Sequence, residues 1–79
     1  MIFFNQTIFG RNVKKARERI YMSREEVAAK LYRDEGYIYR IETGRQLPKV
    51  PDLPEIARVL GTTTDSFFVD TREVVYDDK

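Results

Sequence analysis

The sequence predicts an all-α fold of five short helices, and three observations predict it. Apolar residues recur at the three- and four-residue spacing of amphipathic helices in several successive segments. Two segments follow a serine or an aspartate, which are typical helix N-caps, and two precede a glycine, which is typical of helix ends. The 79 residues suffice for one domain, so we expect a single domain with a core over 6–69 and an acidic tail over 70–79.

The first two helices are predicted from an apolar stripe and from a cap. The stripe of helix one, which should span about 6–20, consists of Phe9, Val13, Ala16 and Ile20. Ser23, with Glu26 three residues later, forms an S-x-x-E capping box that predicts the start of helix two. Helix two should end near Tyr32.

Helix three is predicted from its two ends. Asp34 is expected to cap it, since an aspartate carboxylate accepts the unpaired N–H groups at a helix start. Ile38 and Ile41 should then point inward, and Gly44 should end the helix. Residues 46–51 are expected to form a loop.

The last two helices follow that loop. The stripe of helix four consists of Leu53, Ile56, Ala57 and Leu60. Gly61 should end it, and a short final helix should begin at Thr63 or Thr64 and bury Phe67 or Phe68. The segments 1–4 and 73–76 are rich in β-branched and aromatic residues, which is typical of strands that pair with each other or with a second chain, although frayed ends are the alternative.

Two absences in the composition limit the chemistry of the chain. Without cysteine there is no disulfide and no thiolate metal site, and without histidine the commonest metal ligand and general base is missing. We therefore expect no enzyme, no cofactor, no metal site and no small-molecule ligand. The longest apolar runs are too short to span a membrane or act as a signal peptide, so we expect a cytoplasmic protein.

Charge is distributed unevenly along the chain. Residues 10–49 hold eleven lysines and arginines against six acids, whereas residues 50–79 hold three against seven. These balances, +5 and −4, give the net charge of +1. A solvated surface with an acidic tail would produce the same pattern as a basic face that binds phosphates, and charge alone leaves both open.

The segment 9–68 resembles the phage-repressor and Cro-like helix-turn-helix family, also called the xenobiotic-response-element type. The residues that carry the likeness are Arg17, the run Ser23 to Ala28, Ile38, Arg40 to Glu42, Gly44, Arg45, Pro48, Ile56, Ala57, Leu60, Gly61, Phe67 and Phe68. The resemblance implies a compact, lambda-repressor-like bundle of five helices whose third helix enters the major groove of double-stranded DNA. It also implies a homodimer that places two such helices roughly 34 Å apart on a near-palindromic operator.

The resemblance assigns expected roles to particular residues. The expected DNA-binding residues are Arg24, Arg33, Glu35, Gly36, Tyr37, Arg40, Thr43, Arg45 and Gln46. Arg24 would hold a phosphate, and Arg40 would contact a guanine or, alternatively, a phosphate. Arg17 and Glu42 are expected to form a buried structural ion pair.

Four positions leave alternatives open. Glu35 could accept a hydrogen bond from a cytosine N4 amine, cap helix three or pair with a cation. Tyr37 could reach a phosphate or a thymine methyl group, and Tyr39 could contact DNA or lie on the protein surface. Tyr32 stands where the family usually has a glycine, which leaves room for a rearranged turn because non-glycine residues rarely adopt positive φ.

Two functions compete at this point. The first is a dimeric transcriptional regulator, of repressor or controller type, that binds a short inverted repeat. The second is an antitoxin or adaptor whose main partner is a protein that docks on the apolar termini.

Overall fold

The computed structural model describes residues 5–69, which form four α-helices and one 3₁₀ helix. The α-helices are α1 (Gln6–Arg19), α2 (Arg24–Lys30), α3 (Glu35–Glu42) and α4 (Asp52–Leu60), and the 3₁₀ helix η1 covers Thr64–Phe68. The predicted all-α class is confirmed, although the fifth helix is a 3₁₀ helix and not an α-helix. No strand occurs within 5–69, and the expected strands at 1–4 and 73–76 and the tail at 70–79 lie outside the described residues.

The hydrophobic core takes side chains from all five helices: α1 packs on α3 and η1, α2 packs on α3 and α4, and α4 packs on η1. Its largest fully buried side chains are Phe9, Phe67, Ile38, Ile41, Ile56, Leu60, Val13 and Val27. The rings of Phe9 and Phe67 meet edge to face with centroids 5.4 Å apart, which joins α1 to η1. Phe67 is therefore the buried member of the final pair, whereas Phe68 is 49% exposed.

Helix α1 approaches α3 closely at Gly10. A Cβ atom on Gly10 would lie 2.2 Å from the Ile41 carbonyl oxygen and 2.7 Å from that of Glu42. Because backbone atoms cannot move aside as a flexible side chain can, only glycine fits at this crossing. The approach fixes the end of α3 against the core.

The start of α2 matches the prediction. The Ser23 hydroxyl accepts a hydrogen bond from the Glu26 N–H at 3.0 Å, and the Glu26 carboxylate accepts one from the Ser23 N–H at 2.7 Å. This reciprocal pair is the expected capping box. The helix itself ends at Lys30, two residues before the predicted end.

The turn between α2 and α3 ends the helix with a left-handed residue even though no glycine stands there. Tyr32 adopts φ 58°, in the left-handed region, and its side chain is 93% exposed. The Arg33 N–H donates to the Ala28 carbonyl at 2.9 Å and the Tyr32 N–H to the Ala29 carbonyl at 3.2 Å, which are the two hydrogen bonds of a Schellman motif. The turn is therefore not rearranged, because the exposed tyrosine accepts the strained conformation.

The two ends of α3 differ in how well they were predicted. Gly44 follows the helix with φ 78°, as expected of a terminating glycine. Asp34 occupies the N-cap position, but its side chain makes no cap hydrogen bond, so the predicted carboxylate cap is wrong. The Asp34 carboxylate instead lies beside Gly36, where its Oδ2 would be 2.8 Å from a Cβ atom.

Candidate nucleic-acid interface

Helix α3 has one buried face and one exposed face. Ile38 and Ile41 are 1% and 0% exposed and hold the helix in the core. The exposed side chains are Glu35, Tyr39, Arg40 and Thr43, and Gly36 is half-buried among them. The exposed face of α3 therefore presents polar, charged and aromatic groups along the length of the helix, from Glu35 at its start to Arg40 near its end.

The expected ion pair between α1 and α3 is present and buried. Arg17 Nε donates to Glu42 Oε2 at 2.6 Å and Nη2 donates to Oε1 at 3.0 Å. A third donor, Nη1, reaches the Met22 carbonyl at 2.8 Å. The hydrogen bonds to Glu42 raise the pKa of Arg17 above its ordinary value despite the opposing effect of burial, so the pair is structural.

The same carboxylate faces a second arginine, Arg24, at the start of α2. Arg24 Nη1 lies 3.6 Å from Glu42 Oε1, and its Nε lies 3.3 Å from Glu35 Oε2. Arg17, Glu42, Arg24 and Glu35 thus form a chain of alternating charge that runs from the core to the first residue of α3. We call these four residues the charge chain.

Tyr39 lies between two arginines. The guanidinium carbon of Arg24 is 5.3 Å from the centroid of its ring, and that of Arg45 is 6.0 Å away. Tyr39 is 41% exposed. The sequence left open whether Tyr39 contacts DNA or lies on the protein surface, and nothing in it indicated that Tyr39 lies between two arginines.

The segment after α3 is tied back to the helix. The Arg45 N–H donates to the Arg40 carbonyl at 2.8 Å, and the Thr43 hydroxyl donates to the Tyr39 carbonyl at 2.8 Å. Arg40 Nε donates to the Gln46 side-chain oxygen at 2.7 Å. Arg40, Thr43, Arg45 and Gln46 are therefore brought together at one end of the exposed face.

Tyr37 departs from its expected role. It is 4% exposed, and its hydroxyl donates to Asp52 Oδ2 at 2.6 Å and accepts from the Lys49 N–H at 3.0 Å. A side-chain contact of Tyr37 with DNA is therefore wrong: the ring shares the inward face of α3 with Ile38 and Ile41, and its hydroxyl already has partners.

Arg33 completes the cluster around Asp52. Its Nε lies 3.0 Å from Asp52 Oδ2, and its guanidinium carbon is 5.1 Å from the centroid of the Tyr37 ring. This cluster joins the turn before α3, α3 itself and the first residue of α4. Asp52 was not predicted as part of the site, and no signal in the sequence connects it to residues fifteen and nineteen positions earlier.

The cluster shifts the pKa values of all three of its members. The hydrogen bond to Asp52 raises the pKa of Arg33 above its ordinary value. Burial, together with the hydrogen bond to Asp52, raises the pKa of the Tyr37 hydroxyl. Burial also acts to raise the pKa of Asp52, but the hydrogen bonds from Tyr37 and Arg33 outweigh it and hold that pKa below its ordinary value. Asp52 therefore stays ionised between its two donors.

Within 5–69, no three acidic side chains lie close enough together to hold a metal ion. None of the helices described there has the length and apolar character needed to cross a membrane.

The comparison with known families is consistent with this geometry. A family model described as a helix-turn-helix domain matches residues 8–66, which is most of the chain. The chain therefore belongs to the helix-turn-helix family. Membership points to a non-enzymatic DNA-binding regulator. No curated protein sequence matches the chain.

Several solved structures share the fold. A hypothetical transcription factor, NHTF, from Neisseria has a TM-score of 0.79 at 20% identity, over 90% of this chain and 82% of that one. The restriction-modification controller protein C.AhdI from Aeromonas hydrophila has a TM-score of 0.75 at 20% identity, over 81% of this chain and 93% of that one.

An enzyme also contains a similar domain. Hydroxypropylphosphonic acid epoxidase from S. wedmorenis has a TM-score of 0.76 at 25% identity, over 84% of this chain. The likeness covers only 35% of the epoxidase chain, so it concerns one part of that enzyme.

Proposed function

We propose that this protein is a sequence-specific transcriptional regulator that binds a short inverted repeat in double-stranded DNA as a homodimer. The observation that carries the proposal is the exposed face of α3, formed by Glu35, Tyr39 and Arg40 and flanked by Arg24 and Arg45. A helix with a polar face exposed and cations beside it fits a major groove lined by phosphates.

Arg40 is the proposed base-reading arginine. Because its Nε is held by Gln46, its two terminal nitrogens remain to meet the O6 and N7 acceptors of a guanine. Gly36 supports this arrangement, since a Cβ atom there would lie 3.1 Å from Arg40 Nη1. A side chain at position 36 would crowd the guanidinium.

Four of the other expected DNA-binding residues, Thr43, Arg45, Gln46 and Arg33, are proposed as phosphate contacts. Thr43, Arg45 and Gln46 lie together after α3. Contacts from these residues to the phosphates of the DNA backbone would set the register of α3 on the duplex. Arg33 keeps a side-chain exposure of 34% although its Nε is bonded to Asp52. It therefore remains a proposed phosphate contact, whereas Tyr37 does not.

An apolar groove supports the proposed dimer. It has a volume of about 210 Å³ and is lined by Phe9, Leu47, Pro48, Val50, Leu53 and Phe68. Leu47 and Val50, which line it, are 41% and 78% exposed, so the groove and these side chains form one apolar patch that is open to a partner. A two-fold contact between copies would cover this surface.

The test is selection of preferred duplexes from random DNA at about 50 mM salt. We expect enrichment of a short inverted repeat, with an affinity that falls steeply as salt increases because bound phosphates release counterions.

Arg40→Ala should lower the affinity roughly tenfold and relax the preference at one base pair, whereas Arg45→Ala should weaken binding to all sequences alike.

Arg58→Ala serves as the control, because Arg58 is an exposed arginine of α4 that pairs with Glu55 on its own helix. It should leave the enriched sequence unchanged. If no duplex is enriched, the regulator proposal fails, and a protein-binding antitoxin or adaptor becomes the better account.

A further inference from the structure

The charge chain ends at Glu35, a carboxylate on the surface that the proposed function would bring into the major groove. Glu35 is the first residue of α3, and its side chain is 47% exposed. An ionised carboxylate only accepts hydrogen bonds. Placed near phosphates and base edges, it needs a donor there or it lowers the affinity.

Arg24 holds this carboxylate from one side. It approaches Glu35 Oε2 through Nε, while its Nη1 faces Glu42 and its guanidinium lies against the Tyr39 ring. Three neighbours thus restrict the orientation of Arg24. Glu42 is itself fixed by two hydrogen bonds from Arg17, so the support for Glu35 begins in the core.

The second oxygen of Glu35 remains available. Among residues 5–69, Arg24 is the side chain that bonds to Glu35, and it contacts Oε2. Oε1 can therefore accept a hydrogen bond from a base without the loss of the contact to Arg24. Arg24 also offsets the negative charge that would otherwise repel the DNA backbone.

The base edges of the major groove differ in what they offer a carboxylate. Cytosine presents an N4 amine donor and no acceptor, whereas adenine places its N7 acceptor beside its N6 amine. Guanine presents two acceptors, and thymine presents an acceptor and a methyl group. A fixed carboxylate therefore favours cytosine.

From these contacts we propose that Glu35 selects cytosine at one position of each operator half-site, and that Arg24 is the positioning residue that aims its carboxylate. The inference rests on the proposed function and specifies what the exposed face of α3 recognises. A duplex with guanine or thymine at that position would offer the Glu35 carboxylate no hydrogen-bond donor. The loss of this contact reduces binding to unrelated DNA.

The experiment measures the affinity of each variant for the selected duplex and for its three single-base variants at that position. Wild-type protein should prefer cytosine over guanine and thymine by roughly tenfold. Glu35→Gln should shift the preference to adenine, because a glutamine amide pairs with both N6 and N7 of that base.

Asp65→Asn is the matched control, since it removes one negative charge from η1, an element that packs on α1 and α4. It should raise all four affinities slightly and keep their order. Equal thermal unfolding of the variants would show that none of these changes reflects misfolding.

Arg24 variants separate charge from orientation. Arg24→Met should reduce the cytosine preference, and Arg24→Lys should restore overall affinity but not the preference, because an ammonium group lacks the planar fork. The inference would be overturned if Glu35→Gln retained the cytosine preference, or if it bound every duplex more tightly by the same factor. Either result would leave the proposed function standing. Failure of the wild-type protein to select any duplex would instead remove the proposed function.

Discussion

Tyr32 adopts a backbone conformation that a tyrosine normally avoids, and the hydrogen bonds of the turn hold it there. Its left-handed backbone costs a residue with a Cβ atom roughly 1–2 kcal/mol. The hydrogen bonds from the Arg33 and Tyr32 N–H groups to the end of α2 nevertheless hold the turn in place. Tyr21 repeats the arrangement after α1, with the same φ of 58° and the same 93% exposure.

Replacement of Tyr32 by glycine should therefore raise the free energy of unfolding. We expect a gain of about 1 kcal/mol, since the relief of strain is partly offset by the greater freedom of glycine in the unfolded chain. Chemical denaturation measures the change. Ala29→Gly, at an exposed position within α2, is the control and should lower the stability by about 1 kcal/mol; a loss of stability with Tyr32→Gly would contradict the explanation.

At the scale of elements, the cluster of Arg33, Tyr37 and Asp52 adds polar contacts between three parts of the fold, namely the turn before α3, α3 and the start of α4. The Tyr37 hydroxyl and the Arg33 guanidinium donate to the same oxygen of Asp52. Because Asp52 begins α4, the cluster fixes the orientation of α3 relative to α4. The pose of the exposed helix face depends on this contact.

This cluster predicts a specific dependence of stability on pH. The folded-state pKa of Asp52 is lowered, so its contribution to stability is present above its ordinary pKa and is lost as the pH falls through the lower folded value. Asp52→Asn should remove that part of the acid sensitivity when unfolding is followed from about pH 6 to pH 2. Asp65→Asn, an exposed aspartate, should keep the acid sensitivity of the wild-type protein; identical pH profiles for the wild-type and Asp52→Asn proteins would contradict the assignment.

The sequence predicted the elements that depend on local signals. The capping box at Ser23 and Glu26 and the terminating Gly44 and Gly61 are decided by residues within a few positions of each other, and the structure has all of them. The end of α2 was predicted two residues late, because Tyr32 belongs to the Schellman turn that follows the helix.

The site was predicted less completely because its contacts are long-range. The periodicity of α3 placed Ile38 and Ile41 inside, but it could not decide on which side of their stripe Tyr37 falls. That depends on Asp52, fifteen residues later. The stacking of two arginines on Tyr39 and the contact of Arg24 with Glu42 likewise require the packed arrangement of α2 against α3.

At the scale of the whole molecule, the exposed aliphatic residues around the groove set the expected assembly. Val50 is 78% exposed, so a change of this side chain should not disturb the fold of one copy. Its position on the groove that is proposed as the two-fold contact makes it a suitable probe of that contact.

We expect the wild-type protein to sediment as a dimer at tens of micromolar, and Val50→Glu to sediment as a monomer, because a charge would be buried in the interface. Tyr21→Glu is the control at another highly exposed position, and it should leave the dimer intact. A monomeric wild-type protein, both free and on its operator, would contradict the dimer.

If Glu35 selects cytosine as proposed, the charge chain makes discrimination among DNA sequences depend on residues buried in the core as well as on those that meet the DNA. Replacement of both buried partners, Arg17 and Glu42, by hydrocarbon side chains of similar volume can leave a bundle as stable as before. Arg24 would then lose its contact with Glu42, and the Glu35 side chain would sample several orientations. A variant that folds normally could in this way lose its base preference through substitutions at buried residues alone.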